Sequence, residues 1–383
     1  MRPAWRHAVS ATQWAAGAWL LAAIRTPGPR PPAAGGAPRR RVSVLIPARD
    51  EASSLPHLLA SLAAQVEPPD EVVVVDDAST DGTGQLARRA GVRVLESSGP
   101  PAGWSGKCWA LHQGQAAATG ELLVFLDADV TLSADGLARI VAEHDRQGGN
   151  GIVSAEPYHR TVRPYEQLSA VANVVALMGT GAFGPLGSKS ARDRPMAFGP
   201  CLAVDRATYD LIGGHAHPDV RSKITEDLAM ARRARQAGRP VAVLAGGDAV
   251  AFRMYPGGLR QLVDGWTKVL ATGAGGGPRW AAGLVAWWVT GAILAAVSGA
   301  RAAGVACGLL RAGPSSPGEG AVTYVAWAAQ MGWLFRRAGR FGPPTAAAFP
   351  LPLVVFLACF ARSAVKIGLG RELAWRGRSL TGR

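Results

Sequence analysis

Several pairs of acidic residues follow short apolar runs, and one of them, Asp127-Ala-Asp129, has the spacing of a cation-binding pair. Burial penalises two carboxylates flanking one small residue unless something neutralises them. A hard divalent cation, Mg2+ or Mn2+, does so with oxygen ligands and also bridges the phosphates of a nucleotide. Asp-x-Asp alone is a weak signal, because acids are common at turns after strands.

Its company makes the signal stronger. In Val75-Asp-Asp-Ala-Ser-Thr-Asp-Gly82, Asp76 or Asp77 can hydrogen-bond a ribose or a base edge, while Ser79 and Thr80 are available to cap a following helix. Lys107, within Gly103-Trp-Ser-Gly-Lys-Cys-Trp109, can neutralise phosphate as a point charge. No Gly-x-x-x-x-Gly-Lys-[Ser/Thr] loop is present, which disfavours ordinary nucleoside-triphosphate hydrolysis. In Ile224-Thr-Glu-Asp-Leu-Ala-Met230, Thr225 is a plausible N-cap that puts Glu226 and Asp227 in a first helical turn. A carboxylate there can serve as a general base, or the acids can simply cap the helix and pair with Arg232 and Arg233. His215 and His217 can assist a metal, although loop histidines are more often structural.

These residues need strands and helices to position them. Val42–Ile46, Glu71–Val75 and Leu122–Leu126 are short β-branched-rich runs ending at acids, with helical patterns at Leu55–Gln65, Gly82–Ala90 and Trp109–Ala118. Strand–helix alternation with continuous apolar strands predicts a parallel sheet covered on both faces. Ligands of such sheets bind beyond the carboxyl ends of the strands, where these acids sit.

The chain has 383 residues, 48% of them hydrophobic, and a formal net charge of +14. Its basic residues are not interleaved with aromatics and form no docking motif, so nucleic acid is not an expected partner. They gather instead beside apolar segments, as Arg25, Arg30, Arg39, Arg40 and Arg41 do after the first, and Arg336, Arg337 and Arg340 after a later one. The sequence therefore predicts an N-terminal membrane anchor over residues 1–25 and a linker over 26–40. A catalytic domain over 41–275, membrane helices over 276–365 and a basic tail over 366–383 follow. Ala281–Leu310, Ala321–Phe335 and Ala346–Ala361 are the candidate spans, the last two short for a full crossing of about 20 residues. Three single spans below a cytoplasmic domain place Lys366, Arg371, Arg376 and Arg378 outside, against the charge rule. Either Ala281–Leu310 makes two short passes near Ser298–Arg301, or one segment is re-entrant. Trp287, Trp288, Trp327 and Trp333 are expected to pack against lipid or neighbouring helices. Four scattered cysteines without a CxxC pair suggest neither a zinc site nor a disulfide framework.

Taken in order, Val42-Ser-Val-Leu-Ile-Pro-Ala-Arg-Asp-Glu51, the Asp76-Asp77 segment, Phe125-Leu-Asp-Ala-Asp129 and Thr225-Glu-Asp227 resemble the family 2 glycosyltransferases of GT-A fold. The likeness covers about residues 41–274. Gly103–Ala110, Ile212-Gly-Gly-His215, Gly265-Trp-Thr-Lys268 and Trp375-Arg-Gly-Arg378 resemble a narrower branch of bacterial carotenoid-acid (diaponeurosporenoate-type) and hopanoid-associated glycosyltransferases.

The resemblance implies a Rossmann-like, mostly parallel α/β sheet with helices on both faces, plus N- and C-terminal membrane helices. It implies a nucleotide pocket lined by Pro47, Arg49, Glu51 and Asp77, with Lys107 near the diphosphate. Asp127 and Asp129 match the donor- and metal-binding pair, and Asp227 matches the catalytic base of an inverting displacement. Gly199, Glu226, Trp266 and Lys268 fall on the acceptor side. Processive relatives carry Gln-x-x-Arg-Trp, whereas Gln261-Leu-Val-Asp-Gly-Trp266 lacks the arginine, which argues for one transfer per acceptor. The expected reaction moves a hexose, from UDP-glucose, to a lipid or carotenoid-type acceptor at the cell membrane. The enzyme would be multi-pass, with its catalytic domain cytoplasmic. A polyprenyl-phosphate sugar synthase and a non-catalytic, nucleotide-sugar-binding subunit are the alternatives.

Overall fold

The computed structural model describes residues 5–29, 40–185, 187, 196–311, 316–369, 374–375 and 378–379. Most of the expected linker and tail, including Arg30, Arg39, Arg371 and Arg376, lies outside the described residues. In chain order the principal elements are α1 (Trp5–Leu20), β1 (Val42–Ala48), α2 (Leu55–Ala63), β2 (Glu71–Asp76), α3 (Thr83–Arg89) and β3 (Arg93–Glu96). Then come α4 (Gly106–Ala117), β4 (Leu122–Leu126), β5 (Val130–Leu132), α5 (Gly136–Arg146), β6 (Ile152–Glu156), β7 (Tyr158–His159) and α6 (Ala170–Gly179). The remainder comprises β8 (Cys201–Asp205), α7 (Glu226–Gln236), β9 (Val241–Ala245), β10 (Val250–Phe252), α8 (Leu259–Ala274), α9 (Arg279–Ala306), α10 (Pro317–Ala338) and α11 (Pro350–Gly368).

The chain divides into two compact units. One joins residues 25–158, 194–254 and 366–383; the other joins 1–24, 159–193 and 255–365. The second unit thus takes 159–193 and 255–275, segments the sequence reading placed inside the catalytic domain.

The first unit is built on a seven-stranded sheet of order β3-β2-β1-β4-β8-β6-β9. Every pairing is parallel except the two made by β8, which runs antiparallel to β4 and β6. This is the mostly parallel α/β sheet expected of a GT-A fold. Alternation along the strands covers both faces. Val44, Ile46, Val74, Leu122, Val124 and Leu126 pack with Leu55, Leu58 and Leu62 of α2 and Ile140 of α5. Leu45, Val73, Val75, Leu123 and Phe125 pack instead with Ala110 and Leu111 of α4 and with Met230, Ala231 and Ala234 of α7. Burial on both faces is why these strands are continuous apolar runs. Because β8 reverses direction, β4 and β6 run parallel on either side of it, and the ends of β1, β2, β4 and β6 share one edge.

Helix α4 starts three residues before its apolar pattern. Ser105 caps it, accepting a hydrogen bond from the Cys108 N–H at 3.2 Å, which draws Lys107 into the first helical turn. Two local expectations are corrected, one of a cap and one of an ion pair. Neither Ser79 nor Thr80 caps α3; the N-cap is Gly82, at φ +88°, a conformation glycine adopts without steric cost. Thr225 does take the N-cap position of α7 and puts Glu226 and Asp227 in its first turn, as expected, although its side chain makes no capping hydrogen bond. Arg233 does not turn back to Glu226 or Asp227; it bonds the Ile212 carbonyl at 2.7 Å and lies 3.8 Å from Asp219.

The second unit is helical. Trp288 of α9 is buried and donates to Gln330 of α10 at 2.9 Å, and Gln330 donates to the Trp14 carbonyl of α1 at 2.6 Å. Gly17 and Gly291 let these helices close: a Cβ on Gly17 would meet Trp288 at 2.3 Å, and one on Gly291 would meet Trp327 at 2.6 Å. Small residues at helix contacts are the usual means of close approach in membrane bundles. Residues Arg279–Ala306 form one continuous helix, not two short passes. Nothing interrupts it near Ser298, whose hydroxyl bonds the Leu294 carbonyl four residues back at 2.8 Å. Among the described residues, α9 and α11 are long and apolar enough to cross a membrane. Helix α10, the other expected span, carries Arg336 and Arg337 in its last turn, and α1 has 16 residues. Trp288 and Trp327 pack between helices as expected, and Arg337 stacks 3.6 Å above Trp333.

Candidate active site

Five residues from four segments meet where β4 ends. The Lys107 ammonium lies 2.7 Å from Asp127 Oδ1 and 2.8 Å from Glu226 Oε1. The Gly199 N–H donates to Asp227 Oδ2 at 2.7 Å. The loop before β8 holds these pieces together: Asp127 N–H donates to the Pro200 carbonyl at 3.0 Å. Ser154 of β6 accepts from the Phe198 N–H at 2.5 Å and donates to the Phe198 carbonyl at 3.0 Å. Gly199 lies close against the cluster: a Cβ there would stand 2.9 Å from Lys107 Nζ and 3.1 Å from Glu226 Oε1, so those side-chain ends would have to give way.

Glu226 is 4% exposed, while Asp127, Asp129, Lys107 and Asp227 are half-buried. Burial opposes the charge of Lys107, but Asp127 and Glu226 hold its ammonium well above the ordinary lysine range. Burial pushes the Asp227 carboxyl up, and the Glu226 charge beside it pushes the same way. Asp129 is raised to about 8, first by burial and then by the charges of Asp127 and Glu51. One ammonium thus faces several carboxylates.

A second group occupies the ends of β1 and β2. Arg49 reaches Asp77 at 3.6 Å and donates to its carbonyl at 3.2 Å. Pro47, half-buried in β1, pairs with Val75 of β2. Glu51 lies in the loop after β1, within electrostatic reach of Asp129. The Arg49 Nε is buried and makes no hydrogen bond among the described residues.

The structure therefore brings together Lys107, Asp127, Gly199, Glu226 and Asp227, with Asp129 and Glu51 adjoining, and separately Arg49 with Asp77. Glu226, expected on the acceptor side, has its carboxylate on Lys107. Trp266 and Lys268 belong to the helical unit. Trp266 is buried there, donates to Ser169 at 3.0 Å and lies edge-on to Tyr255, as a packed core residue does. His215 is also structural: it is buried, its Nδ1 lies 2.9 Å from the Tyr209 hydroxyl, and its ring meets Phe125 edge-on. His217 caps a short helix by accepting from the Asp219 N–H.

Sequence reasoning missed Glu156. It closes β6 on the sheet face that carries α7. Burial raises its carboxyl to about 8, with Asp227, Asp129 and Asp127 adding to the effect. The signal was available, because Ile152-Val-Ser-Ala-Glu156 is another apolar run ending in an acid.

Residues 43–175 match the family described as Glycosyl transferase family 2. The chain is 33% identical over 341 residues to 4,4'-diaponeurosporenoate glycosyltransferase of Staphylococcus aureus (strain MRSA252), covering 88% of each sequence. Among solved structures it is similar to a mannosyltransferase from Pyrobaculum calidifontis in complex with GDP-Man and Mn2+. There the identity is 22%, the TM-score 0.49, and the coverage 85% of this chain and 92% of that one. It is also similar to glucosyl-3-phosphoglycerate synthase from Mycobacterium tuberculosis, at 23% identity and TM-score 0.40, over 62% of this chain and 81% of that one. With a relative this similar along nearly its whole length, the chain belongs to the family 2 glycosyltransferases.

Proposed function

We propose that the chain transfers one hexose, from UDP-glucose, to a membrane-embedded carotenoid-type acid, with inversion at the anomeric carbon. The observation that carries this reading is the cluster of Lys107, Asp127, Glu226 and Asp227 around Gly199, a cation and a raised carboxylate at the carboxyl edge of an α/β sheet. The name of the similar Staphylococcus aureus enzyme supports the acceptor class. The two apolar helices support a membrane setting.

Arg49 and Asp77 receive the nucleoside, with Pro47 and Glu51 beside them. Lys107 offsets negative charge on the leaving diphosphate. The donor set after β4 also fits a divalent cation: Asp127 and Asp129 are hard oxygen ligands, and Asp129 is a carboxyl whose charge the surroundings disfavour. Among the described residues no three or more His, Cys, Asp and Glu converge on a cage. That suits an ion bound by one or two carboxylates and the phosphates of its substrate. When bound, Mg2+ or Mn2+ supplies further neutralisation of the diphosphate. The acceptor oxygen bonds to the anomeric carbon as the bond to the diphosphate oxygen breaks, the electron pair leaving with the diphosphate. A carboxylic acid arriving from an apolar phase is neutral, so Asp227 takes its proton.

Mass spectrometry of lipid extracts from cells with and without the chain tests this. The expected result is a carotenoid acid that gains one hexose only when the chain is present; a hexosylated polyprenyl phosphate in its place would reject the acceptor.

A further inference from the structure

The loops leaving β1 and β2 each turn through a left-handed residue that is not glycine, Asp50 at φ +52° and Ala78 at φ +55°. Left-handed backbone is unfavourable for alanine and better tolerated by aspartate or asparagine. It persists only where surroundings hold it. The two loops hold each other. The Asp50 N–H donates to Ser79 Oγ at 2.9 Å, and Asp50 Oδ1 accepts from the Thr80 N–H at 2.8 Å and from its hydroxyl at 3.2 Å. Next along, the Glu51 N–H donates to Thr83 Oγ1 at 2.8 Å and the Ala52 N–H to Asp81 Oδ2 at 2.9 Å. Below the clasp, the Asp77 N–H donates to the Ala48 carbonyl at 2.8 Å.

Asp50 stands between Arg49 and Glu51, so its unusual φ and its two-way contact with the second loop set the directions of both neighbours. Arg49 in turn meets Asp77 and keeps a buried Nε with no hydrogen bond among the described residues. We propose that Asp50 is a positioning residue that locks the β1 and β2 loops together, so that Arg49 and Asp77 are preorganised to receive the nucleoside of the donor. This rests on the nucleotide-pocket reading given above.

The test is calorimetric titration of UDP, and in parallel GDP, into the full-length protein in detergent. Asp50→Gly accepts the left-handed backbone but removes Oδ1, whereas Asp50→Asn keeps both. Asp50→Gly is expected to weaken nucleotide binding about tenfold with kcat at saturating donor within about threefold, and Asp50→Asn to bind within about twofold of the unaltered protein. Should Asp50→Gly fail to fold, Ser79→Ala removes the partner of the Asp50 N–H and is expected to weaken binding about threefold. Wild-type affinity in Asp50→Gly, or in Ser79→Ala where that variant substitutes for it, overturns the inference. Equal weakening in Asp50→Asn and Asp50→Gly also overturns it, since that would point to charge and not to the clasp. In those cases the unaltered protein still binds nucleotide and the pocket reading stands. If the unaltered protein binds neither nucleotide, the pocket reading falls and the inference with it.

Discussion

Lys107 Nζ lies 2.8 Å from Glu226 Oε1, so the first turn of α4 and the first residue of α7 are tied together above the end of β4. The same carboxylate stands next to Asp227 in sequence and helps push the Asp227 carboxyl up, after burial. Glu226 therefore does two things: it anchors the cation, and it raises the proposed base.

Replacing it separates the two. A raised base must ionise before it can accept a proton, so kcat/KM climbs as pH rises through its folded pKa. Glu226→Gln removes the neighbouring charge and lowers that pKa, so the acidic limb of the profile is expected to move to lower pH. The maximum should fall as well, because Lys107 loses one of its two carboxylate contacts and keeps Asp127. A limb that stays in place, or moves up, would reject the coupling between Glu226 and Asp227.

Asp227→Asn should keep the shape of the site and lose the proton acceptor. Its amide oxygen can still accept from the Gly199 N–H, which now meets Asp227 Oδ2 at 2.7 Å. Transfer is expected to fall about 10²–10⁴-fold, the usual worth of general-base catalysis, with UDP affinity little changed. Transfer at the unaltered rate would remove Asp227 from the reaction.

The readable parts of the sequence were those with a local cause. The runs at 42–46, 71–75 and 122–126 are strands because burial on both faces demands continuous apolar residues, and their acids fall at the edge the sheet's polarity requires. The partners of the charges were not readable. Lys107 meets Glu226 across 119 positions only because β8 reverses and brings Phe198–Pro200 between β4 and β6, a matter of topology with no local signature. The pairing of Arg232 and Arg233 with the α7 acids was a local expectation, and for Arg233 a contact to Asp219 and Ile212 took its place. Trp266 was read from a motif, while its place was decided by tertiary packing against Ser169 and Tyr255.

Gly199 is the tightest point of the cluster. A methyl group there would stand 2.9 Å from Lys107 Nζ, 3.1 Å from Glu226 Oε1 and 3.4 Å from Asp227 Oδ2. The Lys107 ammonium and the Glu226 carboxylate must then give by a few tenths of an ångström, while Asp227 stays in ordinary contact; small misplacements of reacting groups are costly. Gly199→Ala is expected to lower kcat about 10- to 100-fold with a melting temperature close to the parent's. Unaltered kcat would show that the cluster has slack.

The acid pair after β4 can be probed by removing either partner. If Asp127 and Asp129 hold Mg2+ or Mn2+ with the diphosphate, chelation should abolish transfer, and either ion added back should restore it. Asp129→Ala should lose activity at every metal concentration that supports the parent. Activity that survives both chelation and Asp129→Ala would reject the metal.

Asp205 offers a test of the scaffold independent of chemistry. Its Oδ1 caps a helix by accepting from the Thr208 N–H at 2.8 Å, and its Oδ2 accepts from the Gly151 N–H at 2.8 Å. Burial works against its charge, but the His144 ring 3.6 Å away and hydrogen bonds from Thr208 and Gly151 outweigh it and hold the carboxyl below its ordinary 3.8. The sign follows from linkage: a carboxylate depressed in the folded state contributes stability above its unfolded pKa and loses it as pH falls through the folded one. Asp205→Ala should therefore destabilise the protein by about 2 kcal/mol at neutral pH, through the lost cap and a poorly satisfied Gly151 N–H. The gap between parent and variant should narrow as the pH drops below 3.8. Thermal unfolding in detergent at pH 7 and at pH 3 checks both, and a gap that is constant or widens in acid would contradict the assignment.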